Sequence, residues 1–408
     1  MKSLWMMLIL LIHLGLSAFA QERAKTLSLD EAVKIALENN PDLRASGASI
    51  DIMKARVRGA ESNYYPQVQF KFILPFVERE SGIFADQLIW DFWRTPNLVK
   101  ASKANLKSAE FDREQARDDV ILNTEVAYYT ALAQKRVVEA MEKAVTQNEK
   151  ILEQTEGFFK AGRVSKIDVT KARVNLGNAK LNLITARNNL EMARIDLAKV
   201  MGIKGDFNYE LEDMLEYKRV DVNLDSAISK ALELNPQLKS LRAKEIASKA
   251  ELAASKDAFY PTIIGRVAYR FEGAGATGPD FIAGIGIRFF LFQGFSRLSE
   301  VNESRAKLEH SRAEIESMEA EIVSEVKQLY MNLKFAEESV EVTETSEISA
   351  EENSELAQER YRLGTGSAVE LSEAQALLAS TNANRIQAIY NYKIAVARLE
   401  RVIGEKIE

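Results

Sequence analysis

The sequence predicts a mainly helical fold in which two copies of one architectural half each carry a pair of amphipathic strands and a very long antiparallel helical hairpin. Three observations carry that reading. Leu29 to Pro66 aligns without a gap onto Leu224 to Pro261 at an offset of 195, pairing Leu29-Asp30, Ala32, Ala36-Leu37-Glu38, Asn40-Pro41, Leu43 and Tyr65-Pro66 with their counterparts. Gly162, Ser165, Ala172 and Gly202 then match Gly364, Ser367, Ala374 and Gly404 at an offset of 202, so the 7 extra residues of the second copy fall between Pro261 and the helix that follows. Just after each Tyr-Pro pair the hydrophobic period changes from helical to two. A unit of nearly 200 residues is too long for a solenoid repeat and reads as two structural halves, 21–222 and 223–408.

Residues 1–20 stand outside the duplication. Met1-Lys2 is a short basic start, Leu4 to Leu16 an apolar stretch and Ala18-Phe19-Ala20 a small-x-small end, the layout of a cleaved secretory signal peptide. As a membrane anchor the stretch falls short of the roughly 20 apolar residues that span a bilayer. No other long apolar run follows, so any membrane span has to be β. The chain has no cysteine, which excludes disulfides, thiolate metal sites and cysteine nucleophiles. Its 54 Lys and Arg against 60 Asp and Glu make nucleic acid an unexpected partner. Two histidines (His13 and His310), no nucleophile elbow and no phosphate loop predict no enzyme, metal or cofactor chemistry.

Within each copy the elements follow in one order. Ser28-Leu29-Asp30-Glu31 is a capping box opening a short amphipathic helix (Ala32, Val33, Ala36, Leu37), which stops before Asn40-Pro41 because proline denies it the next turn. A second helix runs from about Pro41 to Ser62. From Pro66 to Phe72, Val68, Phe70 and Phe72 alternate with Gln67, Gln69 and Lys71, a strand with one oily and one wet face. Its partner, about Ile83 to Phe92, is less regular and ends among Trp90 and Trp93. Pro75 and the charged Glu78-Arg79-Glu80 interrupt this hairpin of about 66–92, which predicts short or irregular strands. In the second hairpin, about 261–292, Ile263, Val267, Tyr269 and Phe271 share one strand face, and Ile285, Ile287, Phe289 and Leu291 share the next. Gly273 to Pro279 forms the flexible loop between them.

Each strand pair leads into a rod. Thr95-Pro96 supplies an N-cap and an N1 proline, and the 64 residues from Pro96 to Phe159 contain no further proline and one glycine, Gly157. Ser296 to Tyr361 gives 66 residues, so at about 1.5 Å per residue each rod is about 95–100 Å long. Each turns at a glycine (Gly162; Gly364 and Gly366) and re-enters a helix through Ser165-Lys166-Ile167-Asp168 or Ser367-Ala368-Val369-Glu370, again capping boxes. The resulting hairpins cover about 96–201 and 296–403. The helix before the strands and the return helix together nearly match one rod in length, so two short helices stacked end to end can flank a long one in coiled-coil-like contact.

Four amphipathic strands in an exported chain pose a specific problem. In lipid every backbone polar group must be paired, so an open four-stranded sheet cannot span and only a closed membrane β-barrel can. Two, three or four copies would supply 8, 12 or 16 strands, and physics alone does not choose among them. A water-soluble sandwich is the alternative for the same strands. The aromatics at the strand ends (Tyr64, Tyr65, Trp90, Trp93, Tyr260, Phe290, Phe292) instead match interfacial girdles.

The duplicated Leu-Asp-x-Ala-x-x-x-Ala-Leu-x-x-Asn-Pro-x-Leu segments, the Tyr-Pro strand openings, and the Tyr361-Arg362-Leu363-Gly364-Thr365-Gly366 turn followed by Glu370 and Ala374 resemble the TolC family of outer-membrane efflux proteins. The resemblance covers essentially the whole mature chain. It implies a homotrimer with a twelve-stranded barrel in outer-membrane lipid, continued through the periplasm by an α-barrel tunnel of twelve antiparallel helical strands. It also implies a passive channel of a tripartite efflux or type I secretion system, served by a periplasmic adaptor (membrane fusion) protein and an inner-membrane pump. By motif position Asp168 and Tyr361 resemble the family's hydrogen-bonded gating pair. Glu370 and Glu373, three apart on one helical face, fall at the acidic rings that narrow the channel aperture. The tips Gly162, Arg163 and Val164 and Gly364, Thr365 and Gly366 fall where the family contacts its adaptor. Gly366 departs from the pattern, standing where well-known members place an arginine that helps lock the closed state; Arg163 and Arg362 lie nearby. Helix capping alone also accounts for Asp168 and Glu370, each the fourth residue of a capping box, and packing alone for Tyr361. A structural periplasmic coiled-coil or adaptor protein is the second function class, although adaptors carry one hairpin inside a β-rich domain and this chain has two.

Overall fold

The computed structural model describes residues 25–72, 81–205, 207–214, 216–270 and 280–407. The expected signal peptide with His13, the Pro75 and Glu78-Arg79-Glu80 interruption, and the Phe271 to Pro279 segment lie outside the described residues. A short strand β1 (Lys25–Leu27) precedes α1 (Leu29–Asn39), α2 (Pro41–Glu61), β2 (Gln67–Lys71), β3 (Gly82–Trp90), α3 (Arg94–Lys160) and α4 (Lys166–Val200). After β4 (Tyr209–Leu211) the order recurs as α5 (Leu224–Leu234), α6 (Pro236–Asp257), β5 (Thr262–Arg270), β6 (Asp280–Arg288), α7 (Ser296–Arg362) and α8 (Ala368–Ile403). α3 and α7 are each 67 residues long. The chain folds into two compact units that each draw on both halves of the sequence: one takes the N-terminal part to Asn39 with Asn123–Lys218 and Glu338–Ile394, the other Asn40–Leu122, Arg219–Glu337 and the segment from Ala395. No described helix is long and apolar enough to cross a membrane.

Local chemistry sets the element boundaries, and it does so alike in both halves. Asn40 ends α1 and caps α2, its Oδ1 accepting the N–H groups of Asp42 (2.8 Å) and Leu43 (3.3 Å), while Pro41 occupies the position where no amide donor is needed. Asn235 does the same for α6, accepting the Leu238 N–H at 3.0 Å ahead of Pro236. At the far end of each return helix a glycine adopts a left-handed conformation, Gly202 at φ 69° and Gly404 at φ 78°. Each lies against the end of a short helix within its own unit. A Cβ on Gly202 would sit 3.0 Å from the Asn39 carbonyl oxygen, and one on Gly404 3.1 Å from Leu234 Cβ.

α3 begins at Arg94, two residues before the Pro96 start that Thr95-Pro96 predicts, because Asp91 supplies the cap. Its carboxylate accepts the Thr95 N–H at 2.7 Å, and its carbonyl accepts that of Arg94 at 3.2 Å. The strand reaches the helix through two consecutive left-handed residues, Phe92 (φ 52°) and Trp93 (φ 76°); Gly294 (φ 59°) and Phe295 (φ 67°) make the same bend before α7. Aromatic residues in this region of backbone space cost on the order of 1 kcal/mol or more each. Stacking of Phe92 on Tyr260 (5.1 Å) and edge contact of Trp93 with Trp90 (5.6 Å) help to hold them.

In the unit containing the strands, β2, β3, β5 and β6 form one antiparallel sheet in that order, leaving β2 and β6 as edges. Following the register, one face carries Val68, Phe70, Ile83, Ala85, Val267, Tyr269, Phe281, Ala283 and Ile285 and no charge. All of these but Ala85 are exposed, Ile285 at 76% and Val68 at 69%, whereas Ala268 on the opposite face is buried. Ile89 is the extra residue of a bulge between Leu88 and Trp90, which returns Trp90 to the apolar face opposite Ile263. The first hairpin is thus short and irregular, with β2 only 5 residues long. β6 ends at Arg288, so Phe289 and Leu291, expected on its face, lie beyond the strand. α6 packs through Ala243, Ala247, Ala250 and Ala254, a small-residue heptad seam that admits close helix approach.

The other unit contains a feature the sequence reading did not foresee, a parallel pairing of β1 with β4. Tyr128 on α3 is fully buried beneath it, with its hydroxyl 2.9 Å from the Leu27 carbonyl and 3.0 Å from that of Glu212. Burial pushes its pKa up to about 12.

The glycine contact yields a prediction. Gly202→Ala places a Cβ in left-handed space against the Asn39 backbone and should cost about 1–2 kcal/mol, whereas Gly59→Ala in open space on α2 should be neutral or mildly stabilising. Thermal melts of the purified protein test this, and a Gly202→Ala melt as high as that of wild type refutes it.

Candidate functional site

The two glycine turns close by the same hydrogen bonds. After α3, Gly162 (φ 69°) donates to Phe159 O and Arg163 to Phe158 O, both at 2.9 Å; after α7, Gly364 (φ 77°) donates to Tyr361 O at 3.1 Å and Thr365 to Arg360 O at 2.9 Å. This is the Schellman closure, which satisfies the last carbonyls of each helix. Gly366 adds a further N–H to Arg360 O at 2.9 Å, and a Cβ there would lie 3.0 Å from Arg360 Cβ, so the tightness of this turn selects glycine. Gly162, Arg163, Gly364 and Thr365 are exposed, while Val164 and Gly366 are half-buried.

The residues that start the return helices behave differently. Ser165 donates both its N–H (2.9 Å) and its hydroxyl (2.7 Å) to Asp168 Oδ2. These bonds hold the Asp168 carboxyl below its usual 3.8, the side-chain bond contributing most. At the second turn Ser367 Oγ accepts the Glu370 N–H at 3.1 Å, but the Glu370 carboxylate reaches the Arg360 guanidinium at 2.9 Å. Phe158 stands 202 residues before Arg360 and offers no charge, so Asp168 turns back to its own helix end.

Tyr361 is 3% exposed and packs with Ile151, Phe158, Ala357, Leu371 and Ala374. Its hydroxyl lies 2.7 Å from Thr155 Oγ1, which itself donates to Ile151 O, so Tyr361 is the donor of that bond. Within one chain Tyr361 and Asp168 are therefore not joined, and each is satisfied by its own neighbours. Glu373 is exposed on α8, one turn from Glu370. Thr155 and Arg360 were not singled out from the sequence, because their importance comes only from what lies opposite them.

The two hairpins also differ along their length. Glu142, Glu149 and Glu156 step by seven along α3 and meet Arg187, Lys180 and Arg173 on α4 at 2.8, 2.9 and 2.9 Å. Each pair is solvent-exposed and worth at most about 1 kcal/mol, but the heptad spacing fixes the register. At the positions 202 residues on, α7 has Glu344, Glu351 and Gln358 and α8 has Ile389, Asn382 and Gln375. There Arg385 contacts both Glu344 and Glu347 instead. The outer surfaces of this unit are not closed. α4 exposes Ile167, Val174, Leu181, Ile184, Met192 and Ile195, and α7 exposes Val342, Ile348 and Leu356. α4 carries 7 basic and 3 acidic residues, whereas α7 has 9 glutamates and no basic residue between Lys334 and Arg360.

Among the described residues no group of three or more His, Cys, Asp or Glu is placed to hold a metal ion. The sequence model described as outer membrane efflux protein matches residues 32–203 and 227–405. Protein CyaE of Bordetella pertussis is 25% identical over 378 residues, covering 87% of this chain and 79% of that protein. Solved structures share the fold. The CmeC outer membrane channel of Campylobacter jejuni superposes with a TM-score of 0.80 at 19% identity over 93% of this chain and 86% of its own. VceC of Vibrio cholerae gives 0.78 at 16% identity (93% and 97%), and the open state of the MtrE outer membrane channel of Neisseria gonorrhoeae 0.79 at 15% (92% and 89%).

The Ser165–Asp168 cap makes the first turn acid-sensitive. Asp168 is depressed in the folded state, so its stabilisation is complete at neutral pH, above the unfolded value, and is lost as pH falls through the folded pKa, below 3.8. Protection factors at residues 163–168, taken against the intrinsic exchange rate at each pH, should fall on acidification, and Asp168→Asn should leave them low at neutral and acid pH alike. Unchanged protection of the Asn variant at neutral pH would contradict the cap.

Proposed function

This chain belongs to the outer membrane efflux protein family, and from that premise we propose that it works as a passive duct, a cyclic homotrimer whose twelve strands close one barrel in outer-membrane lipid. The observation that carries the reading is the sheet, with an uncharged apolar face, all strand charges on the other face, and two edge strands that only further copies can pair. Basic α4 and acidic α7 each expose apolar side chains. Such a pair fits a heterologous contact, which repeats head to tail and closes into a ring. In this reading the chain is built of two structural repeats, 21–222 and 223–408, and its helical hairpins line a periplasmic tunnel.

Glu370 and Glu373 line the aperture, with Asp168 and Tyr361 bracing the helix ends behind them. Gly162, Arg163, Val164, Gly364, Thr365 and Gly366 meet a periplasmic adaptor, and an inner-membrane pump supplies the energy. The Arg360–Glu370 pair supports a division of labour in which Glu370 is already partly neutralised and Glu373 carries most of the selective charge.

Planar-bilayer recording of the detergent-extracted oligomer tests this reading. Discrete steps are expected from wild type, and Glu373→Gln should lower cation over anion permeability more than Glu370→Gln does. A conducting oligomer whose reversal potential is indifferent to Glu373 removes that residue from the aperture. An intact oligomer that never conducts, even with Tyr361→Phe and Asp168→Ala combined to loosen the tips, refutes the duct.

A further inference from the structure

The wet face of the sheet is not electrically neutral. Every charged residue of the four strands stands there by register, four cations (Lys71, Arg266, Arg270, Arg288) against two anions (Asp86, Asp280). Asp86 is clamped by Arg266, its cross-strand partner, with Nε 2.6 Å from Oδ1 and Nη2 2.8 Å from Oδ2. Asp280 stands opposite Arg270 in the β5–β6 pairing. Arg288 has no carboxylate opposite it; its register partner is Thr262. Along β6 the two wet-face positions before Arg288 are Gly284 and Gly286. A Cβ at Gly284 would have nothing within 4 Å, and one at Gly286 only Ile264 Cγ1 at 3.8 Å. The floor beside Arg288 is therefore bare, and its guanidinium is exposed.

We propose that Arg266, paired with Asp86, and Arg288, without a carboxylate opposite it, form a cationic collar on the inner wall of the barrel that favours anionic solutes, those bearing carboxylate or phosphate groups. The collar rests on the channel reading above and has the opposite sign to Glu370 and Glu373. Guanidinium groups pair with carboxylates and phosphates in a planar, two-point geometry, and Asp86 already shows that mode with Arg266. Three copies would set six guanidiniums against three carboxylates around one lumen, where a low-dielectric wall focuses their field on passing ions. Salt screens such a field over about 10 Å at 0.1 M and about 3 Å at 1 M, so the collar acts most strongly in dilute salt.

Reversal potentials in KCl gradients, recorded at both salt levels, test the collar. Arg288→Gln should lower the chloride-to-potassium permeability ratio by about two-fold or more in dilute salt, and Arg288→Lys should retain the wild-type ratio. Asp86→Asn should raise the ratio, and all differences should shrink in 1 M KCl as screening shortens the reach of the charges. Conducting oligomers whose ratio is the same in wild type and Arg288→Gln overturn the collar and leave the duct standing. An intact oligomer that stays silent even with Tyr361→Phe and Asp168→Ala combined overturns the duct and the collar together. Should Asp86→Asn fail to assemble, the two Arg288 variants decide alone, since that side chain is exposed and holds no partner strand.

Discussion

A strand facing hydrocarbon has nowhere to put an unpaired N–H or C=O, and β2 and β6 leave the sheet of this chain with two such rows. Each orphaned group costs several kcal/mol in lipid, so in the duct proposed above only further copies of the chain, and no amount of internal packing, can satisfy these edges. Much else follows from that constraint. The apolar face can be exposed on one chain because lipid is to cover it. The charges are confined to the other face because the register leaves them no alternative, a one-residue slip being enough to invert both. The strained aromatic pair at Phe92 and Trp93 turns the chain out of the sheet and directly into a 67-residue helix, with Asp91 capping the first free amides.

The helical hairpins obey a weaker constraint, and their chemistry differs accordingly. Exposed ion pairs stabilise little one by one, yet three of them at heptad intervals on α3 and α4 admit a single register. α7 and α8 lack that ladder and hold instead a long run of glutamates, with Arg385 serving two of them. The difference between Phe158 and Arg360 at equivalent turns has a similar effect at the tips. One acidic side chain caps its own helix, and the other is drawn across the turn to a cation.

Much of the fold was legible because its signals are local. Asn-Pro stops, glycine turns and long stretches free of helix breakers depend on backbone geometry a few residues wide, and α1, α2, α4 and their counterparts appear within a residue or two of where these signals put them. The misplacements are also informative. Thr95-Pro96 looks like a helix start, but Asp91 is four residues earlier and can reach back to the Thr95 amide only because two left-handed residues fold the chain. The β1–β4 pairing escaped notice since three-residue strands with no alternation carry no periodic signal.

At the candidate site the sequence by itself determined which residues occupy the turns and which carry charge, together with the amphipathic strands and the lengths of the rods, because capping, glycine conformation and periodicity are properties of short segments. Only the tertiary structure decided partners. That Tyr361 donates to Thr155 across 206 positions, that Glu370 meets Arg360 rather than its own helix end, and that Asp86 locks onto Arg266 across 180 positions depends on how distant segments are brought side by side. A side chain's partner is selected by geometry within a few ångströms, and no local pattern encodes a distance between segments that meet only when the chain is folded.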